Sequence, residues 1–149
     1  MPLPAILSTI ETWAREAAID PNGRDLSPFI TAAALVAVAD GPATEHECEV
    51  ISQVSKTLRG EDISWEDFQK EVAWISETGN DGAVKAVAEQ ITNGGERALA
   101  VRIAAIVATG EQGVNEKEGL MLQKLGRALG FSRENVLGFL SEAMRAAKG

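Results

Sequence analysis

Hydrophobic residues recur at every third or fourth position along most of the chain, which is the spacing of one face of an α-helix. In the first such segment, Ile6, Leu7, Ile10 and Trp13 fall on one stripe. The strict alternation of apolar and polar residues that is typical of β-strands is absent. The pattern predicts helices over Leu3–Ala18, Phe29–Ala39, Thr44–Leu58, Trp65–Ile75, Ala83–Ile91, Glu96–Thr109, Asn115–Leu129 and Ser132–Ala147.

Capping residues and turn signals separate these segments. Ser27 precedes Pro28 at the start of the second helix, and Ser64 with Asp67 is typical of a helix N-terminus. Glycine-rich or polar breaks lie at 20–25, 59–64, 78–82 and 92–95. We therefore expect one all-α domain over residues 1–149, with seven or eight helices, a size suited to a single domain.

Segment 29–39 is apolar nearly all round, so we expect this helix to be buried, and segment 96–109 is a second largely apolar helix. The three tryptophans are expected in the core or between helices, with Trp65 and Phe68 facing a partner as the alternative. In the third and seventh helices the inward stripes consist of Cys48, Ile51, Val54 and Leu58, and of Leu122, Leu125 and Leu129.

The sequence contains an internal repeat. Residues 33–58 align without a gap with residues 104–129, which lie 71 positions later. Each copy reads as a helix, an acidic turn and a capped helix. This predicts two related helical hairpins and, by inference, two acidic turns that lie close together. The identical pairs are Ala33/Ala104, Ala34/Ala105, Val36/Val107, Ala37/Ala108, Glu45/Glu116, Glu47/Glu118 and Leu58/Leu129.

Composition narrows the classes of partner. The net charge of −8 disfavours nucleic acid, which needs clustered Lys and Arg, and also disfavours an anionic membrane surface. The chain has a single cysteine, so an intramolecular disulfide and a cysteine zinc cage are excluded. The N-terminus does not read as a signal peptide, and no apolar run approaches the roughly 20 residues of a membrane span. We expect a soluble, cytoplasmic protein.

The glutamates of the repeat have a structural explanation. Thr44 with Glu47, and Asn115 with Glu118, match a capping box, in which the two side chains satisfy each other's free backbone amides. Glu45 and Glu116 complement the positive end of the helix dipole. Capping therefore accounts for these residues without any ligand.

Capping does not account for Asp40 and Glu111. Each follows the end of a helix, where a negative charge meets the negative end of the dipole. Each could accept amide hydrogens within its own turn. Alternatively, these acids and the glutamates that follow could hold a hard divalent cation, which prefers several oxygen ligands. The loop after Asp40 does not match an EF-hand.

Other candidate residues have simpler explanations. His46, the only histidine, is expected to be an exposed helix residue, with a metal ligand as the less favoured alternative. Cys48 lies on the inward stripe, which indicates a buried thiol and not a nucleophile. The segment 92–97 could cradle a phosphate at a helix start, but it lacks a P-loop lysine and spacing. The turn at 20–25 is expected to be a plain turn.

The segments "LVAVADGPATEHE" (35–47) and "IVATGEQGVNEKEGLMLQKLGRALGFS" (106–132) resemble the tellurite-resistance TerB family and TerB-like domains, such as the one in DjlA-type co-chaperones. The resemblance spans about residues 29–132. It implies an all-α fold of two related halves, a divalent-metal site and a role in stress response. The implied metal ligands are Asp40, Glu47, Glu111 and Glu118, with Glu45 and Glu116 as neighbours that could join them.

We therefore expect a non-enzymatic TerB-like protein without catalytic residues, whose cofactor is a divalent cation. The sequence does not decide whether this cation is Ca²⁺, Mg²⁺, Mn²⁺ or Zn²⁺. The alternative is a metal-free protein-interaction module in which the acids only cap helices. An unidentified protein partner is expected, and a homodimer stays open. This sequence departs from the family pattern at Glu111, where the family often has Asp, at Gln112 and at Pro42.

Overall fold

A computed structural model describes residues 3–16, 27–39, 41–42, 44–59, 62–109 and 116–148. Across these residues the chain forms eight helices and no strand, which confirms the all-α prediction. The helices are α1 (Leu3–Glu16), α2 (Ser27–Ala37), α3 (Glu45–Arg59), α4 (Trp65–Thr78), α5 (Asn80–Gln90), α6 (Gly94–Thr109), α7 (Glu116–Ala128) and α8 (Arg133–Lys148).

Helices α2 and α6 pack against each other at the centre of the core. Every residue from Pro28 to Ala37 is buried, and so is nearly every residue from Leu99 to Thr109. Both helices are rich in alanine, whose small side chain lets two helix backbones approach closely. The expected burial of the helix over 29–39 is therefore confirmed, and the largely apolar helix over 96–109 is buried as well.

The predicted inward stripes of α3 and α7 are also buried, and Trp13 is 7% exposed. The prediction for the other two tryptophans is wrong, because Trp65 and Trp74 are 43% and 40% exposed. Phe68, which could have faced a partner together with Trp65, is instead fully buried. Along α4, the buried positions are those of Phe68 and Ile75, which lie two turns apart on one face.

Several predicted helix starts are confirmed by their hydrogen bonds. Ser64 Oγ accepts from the Asp67 amide at 3.1 Å. Before α8, the Asn135 amide donates to Ser132 Oγ at 3.1 Å, and the Ser132 amide donates to Asn135 Oδ1 at 3.2 Å. The break predicted at 78–82 is too long, since only Gly79 separates α4 from α5. The φ of Gly79, +87°, turns the chain within one residue, so the polar residues that follow belong to α5.

The packing partners of the helices repeat along the chain. When α1 to α4 are matched in order with α5 to α8, each helix pair in substantial contact has a counterpart. Within the halves, α1·α3 matches α5·α7, α2·α3 matches α6·α7, α2·α4 matches α6·α8 and α3·α4 matches α7·α8. Between the halves, α2·α5 matches α1·α6, α2·α7 matches α3·α6 and α4·α5 matches α1·α8. Both halves thus use the same set of contacts around α2 and α6.

A polar contact between the second and fourth helices is also found at matched positions in both halves. Thr31 in α2 donates to the carboxylate of Glu71 in α4. Arg102 in α6, 71 residues after Thr31, donates through Nε to Glu142 in α8 at 3.1 Å, and Glu142 lies 71 residues after Glu71. The 71-residue offset of the sequence repeat therefore also relates the contacting positions of α4 and α8.

Helices α7 and α8 lie in close contact at Gly126. A Cβ atom on Gly126 would lie 2.3 Å from Cγ2 of the buried Val136. The chain then reverses through Gly130, whose φ is +89°, with the Phe131 amide donating to the Gly126 carbonyl at 2.9 Å. This is a Schellman motif, which closes the end of α7 and starts the chain towards α8.

Candidate functional site

The acidic start of α3 forms the predicted capping box. The Glu47 amide donates to Thr44 Oγ1 at 3.1 Å, and the Thr44 amide donates to Glu47 Oε1 at 2.8 Å. Glu45 is exposed one residue after Thr44. Glu47 therefore has a structural role at this helix end, and one of its carboxylate oxygens is used for it.

The acidic start of α7 has a different environment. Glu118, the counterpart of Glu47, is only 7% exposed, whereas Glu116 is exposed. Asn115, its predicted capping partner, lies outside the described residues. A buried carboxylate is costly unless other groups compensate its charge, so Glu118 marks a place where the interior accommodates an acid. The sequence pattern did not distinguish it from Glu47.

The other two residues of the predicted metal site, Asp40 and Glu111, lie outside the described residues. Within the described part of the chain, no three His, Cys, Asp or Glu side chains are placed so that they could hold a metal ion. Glu47 and Glu118 thus do not form a site with other described acids. The predicted four-residue cluster stays a prediction.

His46 and Cys48 follow the cap of α3. His46 was expected to be exposed, but it is half-buried and its Nε2 atom is shielded from solvent. Cys48 is buried, as predicted, and desolvation together with the negative charge of Glu45 raises the pKa of its thiol. A protonated, buried thiol is a poor nucleophile, which agrees with the structural role assigned to Cys48.

The segment 92–97 is capped by its own side chain. Asn93 Oδ1 accepts from the amides of Gly95 at 2.8 Å and Glu96 at 3.2 Å. These are amides that a phosphate at this helix start would need. The phosphate-cradle alternative therefore loses its donors to an ordinary Asn cap.

A groove that the sequence did not predict lies between α5 and α7. It has a volume of about 740 Å³, with an apolar floor of Val84, Ala88, Leu120 and Ala128. Its charged residues are Lys85, Lys124, Arg127 and Asp81, and Gln123 completes the lining. Leu120 is 64% exposed and lies off the inward stripe of α7, which is the one sequence signal that could have revealed this surface.

Arg97, at the start of α6, joins the ends of the two helices that form the groove. Its guanidinium donates to the carbonyls of Ala88 at 2.8 Å and Ile91 at 2.6 Å, at the end of α5. It also donates to the Leu129 carbonyl at 3.2 Å, at the end of α7. One side chain thus satisfies carbonyls that the ends of two helices leave free, and it links those two ends.

No protein-family model, curated protein or solved structure matches this chain. Among the described helices, none combines the length and the apolar character that a membrane crossing requires.

Proposed function

We propose that this protein is a non-enzymatic, TerB-like domain of two related halves that binds a divalent cation through its acidic turns. The observation that carries the proposal is the matched packing of the halves, down to the Thr31–Glu71 and Arg102–Glu142 contacts. Helices α3 and α7 begin at matched positions, Glu45 and Glu116, 71 residues apart. The acidic segments in front of them therefore precede matched helices.

The donors proposed for the cation are Asp40, Glu47, Glu111 and Glu118, with Glu45 and Glu116 beside them. Carboxylate oxygens are the ligands that hard cations prefer. Glu118 suits this role because it is a buried carboxylate at the start of α7. A bound cation would offset the negative charge of its carboxylate ligands.

The biological setting that the TerB resemblance suggests is stress response, including tellurite resistance, through sensing or scaffolding. A non-catalytic role is supported by the burial of Cys48, which leaves this thiol inaccessible to a substrate.

A metal-free interaction module is the second candidate, and a specific observation favours it. The Thr44–Glu47 capping box is formed without any ion, so Glu47 has a sufficient role in α3 already. In this alternative, the acids stabilise helix starts by about 1 kcal/mol each, and function lies in a partner-binding surface elsewhere.

Calorimetric titration with Ca²⁺, Mg²⁺, Mn²⁺ and Zn²⁺ tests the proposal, beside an Asp40→Asn/Glu111→Gln double variant. We expect one of these cations to bind the natural protein with micromolar affinity and the double variant to lose that binding. Glu134→Gln, which changes an exposed acid in the first turn of α8, is the control. Absence of binding to the natural protein would contradict the proposal and favour the metal-free module.

A further inference from the structure

We propose that the groove between α5 and α7 binds an acidic amphipathic helix of a partner protein. The lining of the groove does not include the residues proposed for the cation, and the proposal does not depend on cation binding. Three features of the groove carry it: its shape, its exposed apolar floor and its local charge.

The shape of the groove suits a helix. The lining residues of α5 are Asp81, Val84, Lys85 and Ala88, which follow the i, i+3, i+4, i+7 spacing of one helix face. Those of α7 follow the same spacing from Leu120 to Ala128. At about 1.5 Å per residue, this gives a channel roughly 10–12 Å long, or two helical turns. Two helix faces that line one groove form the kind of surface on which an amphipathic helix lays its apolar face.

The floor supplies the apolar contact. Val84 is almost fully buried beneath it, while Leu120 is 64% exposed and is the most exposed large hydrophobic residue described. Ala88 and Ala128 keep the channel open because their side chains are short. An apolar side chain placed in the channel would therefore cover Leu120 and remove apolar surface from water.

The charge of the groove selects the partner. Three cations and one acid line it, which gives a local charge of 3 − 1 = +2 on a chain whose net charge is −8. Lys124 pairs with Asp81 in the wall, and Lys85 reaches Glu89 only at 4.0 Å on the exposed surface. Arg127 has no ion-pair partner among the described residues, so its guanidinium is available to a carboxylate. This basic rim favours a helix that carries Asp and Glu beside its apolar stripe.

The test is a fluorescence-anisotropy titration of the full chain, in EDTA, with two labelled synthetic peptides of about three helical turns. Both carry leucines at i, i+3, i+4 and i+7, and their remaining positions are mainly Glu in one peptide and Lys in the other. We expect micromolar binding of the Glu peptide, weakened by added salt, and binding of the Lys peptide weaker by at least about tenfold. Because EDTA removes free divalent cations, this result is independent of the metal proposal.

Two matched pairs of variants locate the binding. Leu120→Ala is expected to weaken the binding of the Glu peptide by about tenfold. Leu137→Ala, at an exposed leucine of α8, is expected to leave this binding unchanged. Arg127→Glu is expected to weaken it similarly, whereas Arg145→Glu, at an exposed arginine of α8, does not. All four residues have exposed side chains, and circular dichroism verifies that each variant is folded.

Three outcomes would overturn the proposal. The Glu peptide could bind no more tightly than the Lys peptide, or the two members of a matched pair could have equal effects. Sedimentation could also show that the chain self-associates without peptide and that Leu120→Ala abolishes this association. The last outcome would assign the groove to a second copy of the chain.

Discussion

The two halves of the molecule place one contact at equivalent positions but build it from different chemistry. In the first half, the hydroxyl of Thr31 meets the carboxylate of Glu71. In the second half, the guanidinium of Arg102 meets Glu142 and lies 5.3 Å from the ring centroid of Trp13 and 5.2 Å from that of Phe139. The position is shared, but its partners are more numerous in the second half.

The difference shows that a repeated backbone arrangement does not require repeated chemistry. Arg102 is also 3.7 Å from Glu16, so one side chain joins α1, α6 and α8. Thr31 joins only α2 and α4, apart from its bond to the Ser27 carbonyl within α2. The same holds for Glu47, which is half-buried in a capping box, and for its buried counterpart Glu118. Each half has thus adapted its equivalent positions to its own neighbours.

The largest expected effect tests the close approach of α7 and α8, which is specific to the second half. Position 126 is Gly there, whereas its counterpart in α3 is the buried Ser55. Gly126→Ala is expected to lower the free energy of unfolding by about 3 kcal/mol, because the added Cβ overlaps the buried Val136. Urea unfolding followed by circular dichroism measures the change.

Gly138→Ala is the matched control for Gly126→Ala. Gly138 lies within α8, and a Cβ atom there would meet nothing within 4 Å. Alanine favours a helix interior over glycine, so this variant should gain about 0.5–1 kcal/mol. If both variants changed the free energy of unfolding in the same direction, the close approach of α7 and α8 at Gly126 would be contradicted.

A second prediction compares the paired polar contacts directly. Arg102→Met retains the apolar stem of the side chain but removes the positive charge that contacts Trp13, Phe139 and Glu142. This variant should lower the free energy of unfolding by about 2 kcal/mol. Thr31→Val removes, at nearly constant volume, the hydroxyl that contacts Glu71 and the Ser27 carbonyl, and it should cost about 1 kcal/mol. Chemical denaturation of both variants checks the order. A larger loss for Thr31→Val would contradict the account of the two halves.

The smallest expected effect concerns Cys48, whose counterpart in α7 is Gly119. Burial raises the pKa of the Cys48 thiol in the folded state, so the folded chain keeps this proton when the unfolded chain has lost it. Stability should therefore fall as the pH rises above about 8.5, the ordinary value for a free cysteine. Denaturation across the alkaline range should show a steeper fall for the natural protein than for Cys48→Ser. Equal slopes would contradict a buried, protonated thiol.

Much of the fold was predictable because hydrophobic periodicity and capping residues are local signals. The helix starts after Thr44, Ser64 and Ser132 were predictable because, at each one, a single side chain accepts a hydrogen bond from a backbone amide. The short junction at Gly79 was not predictable, because polar residues such as Asn80 suit a turn and a first helical turn equally well. Trp65 and Trp74 were misplaced because aromatic type alone does not decide which face of α4 meets the core.

The candidate sites were less predictable because they depend on which helices become neighbours. The burial of Glu118 arises from the packing of α7, whereas its sequence surroundings match those of Glu47. The groove between α5 and α7 combines residues more than 30 positions apart, and Arg97 links the ends of these helices by donating to three carbonyls. No local pattern encodes such an arrangement.

The central claim, that the acidic turns of the two halves hold one cation, is tested most directly by the thermal stability of Glu118→Gln. A ligand that binds only the folded state stabilises it, by about 2.7 kcal/mol at a hundred times its Kd. We predict that the cation identified by calorimetry raises the melting temperature of the natural protein and of Glu134→Gln, but not that of Glu118→Gln. An equal rise in all three proteins would contradict a cation held by Glu118.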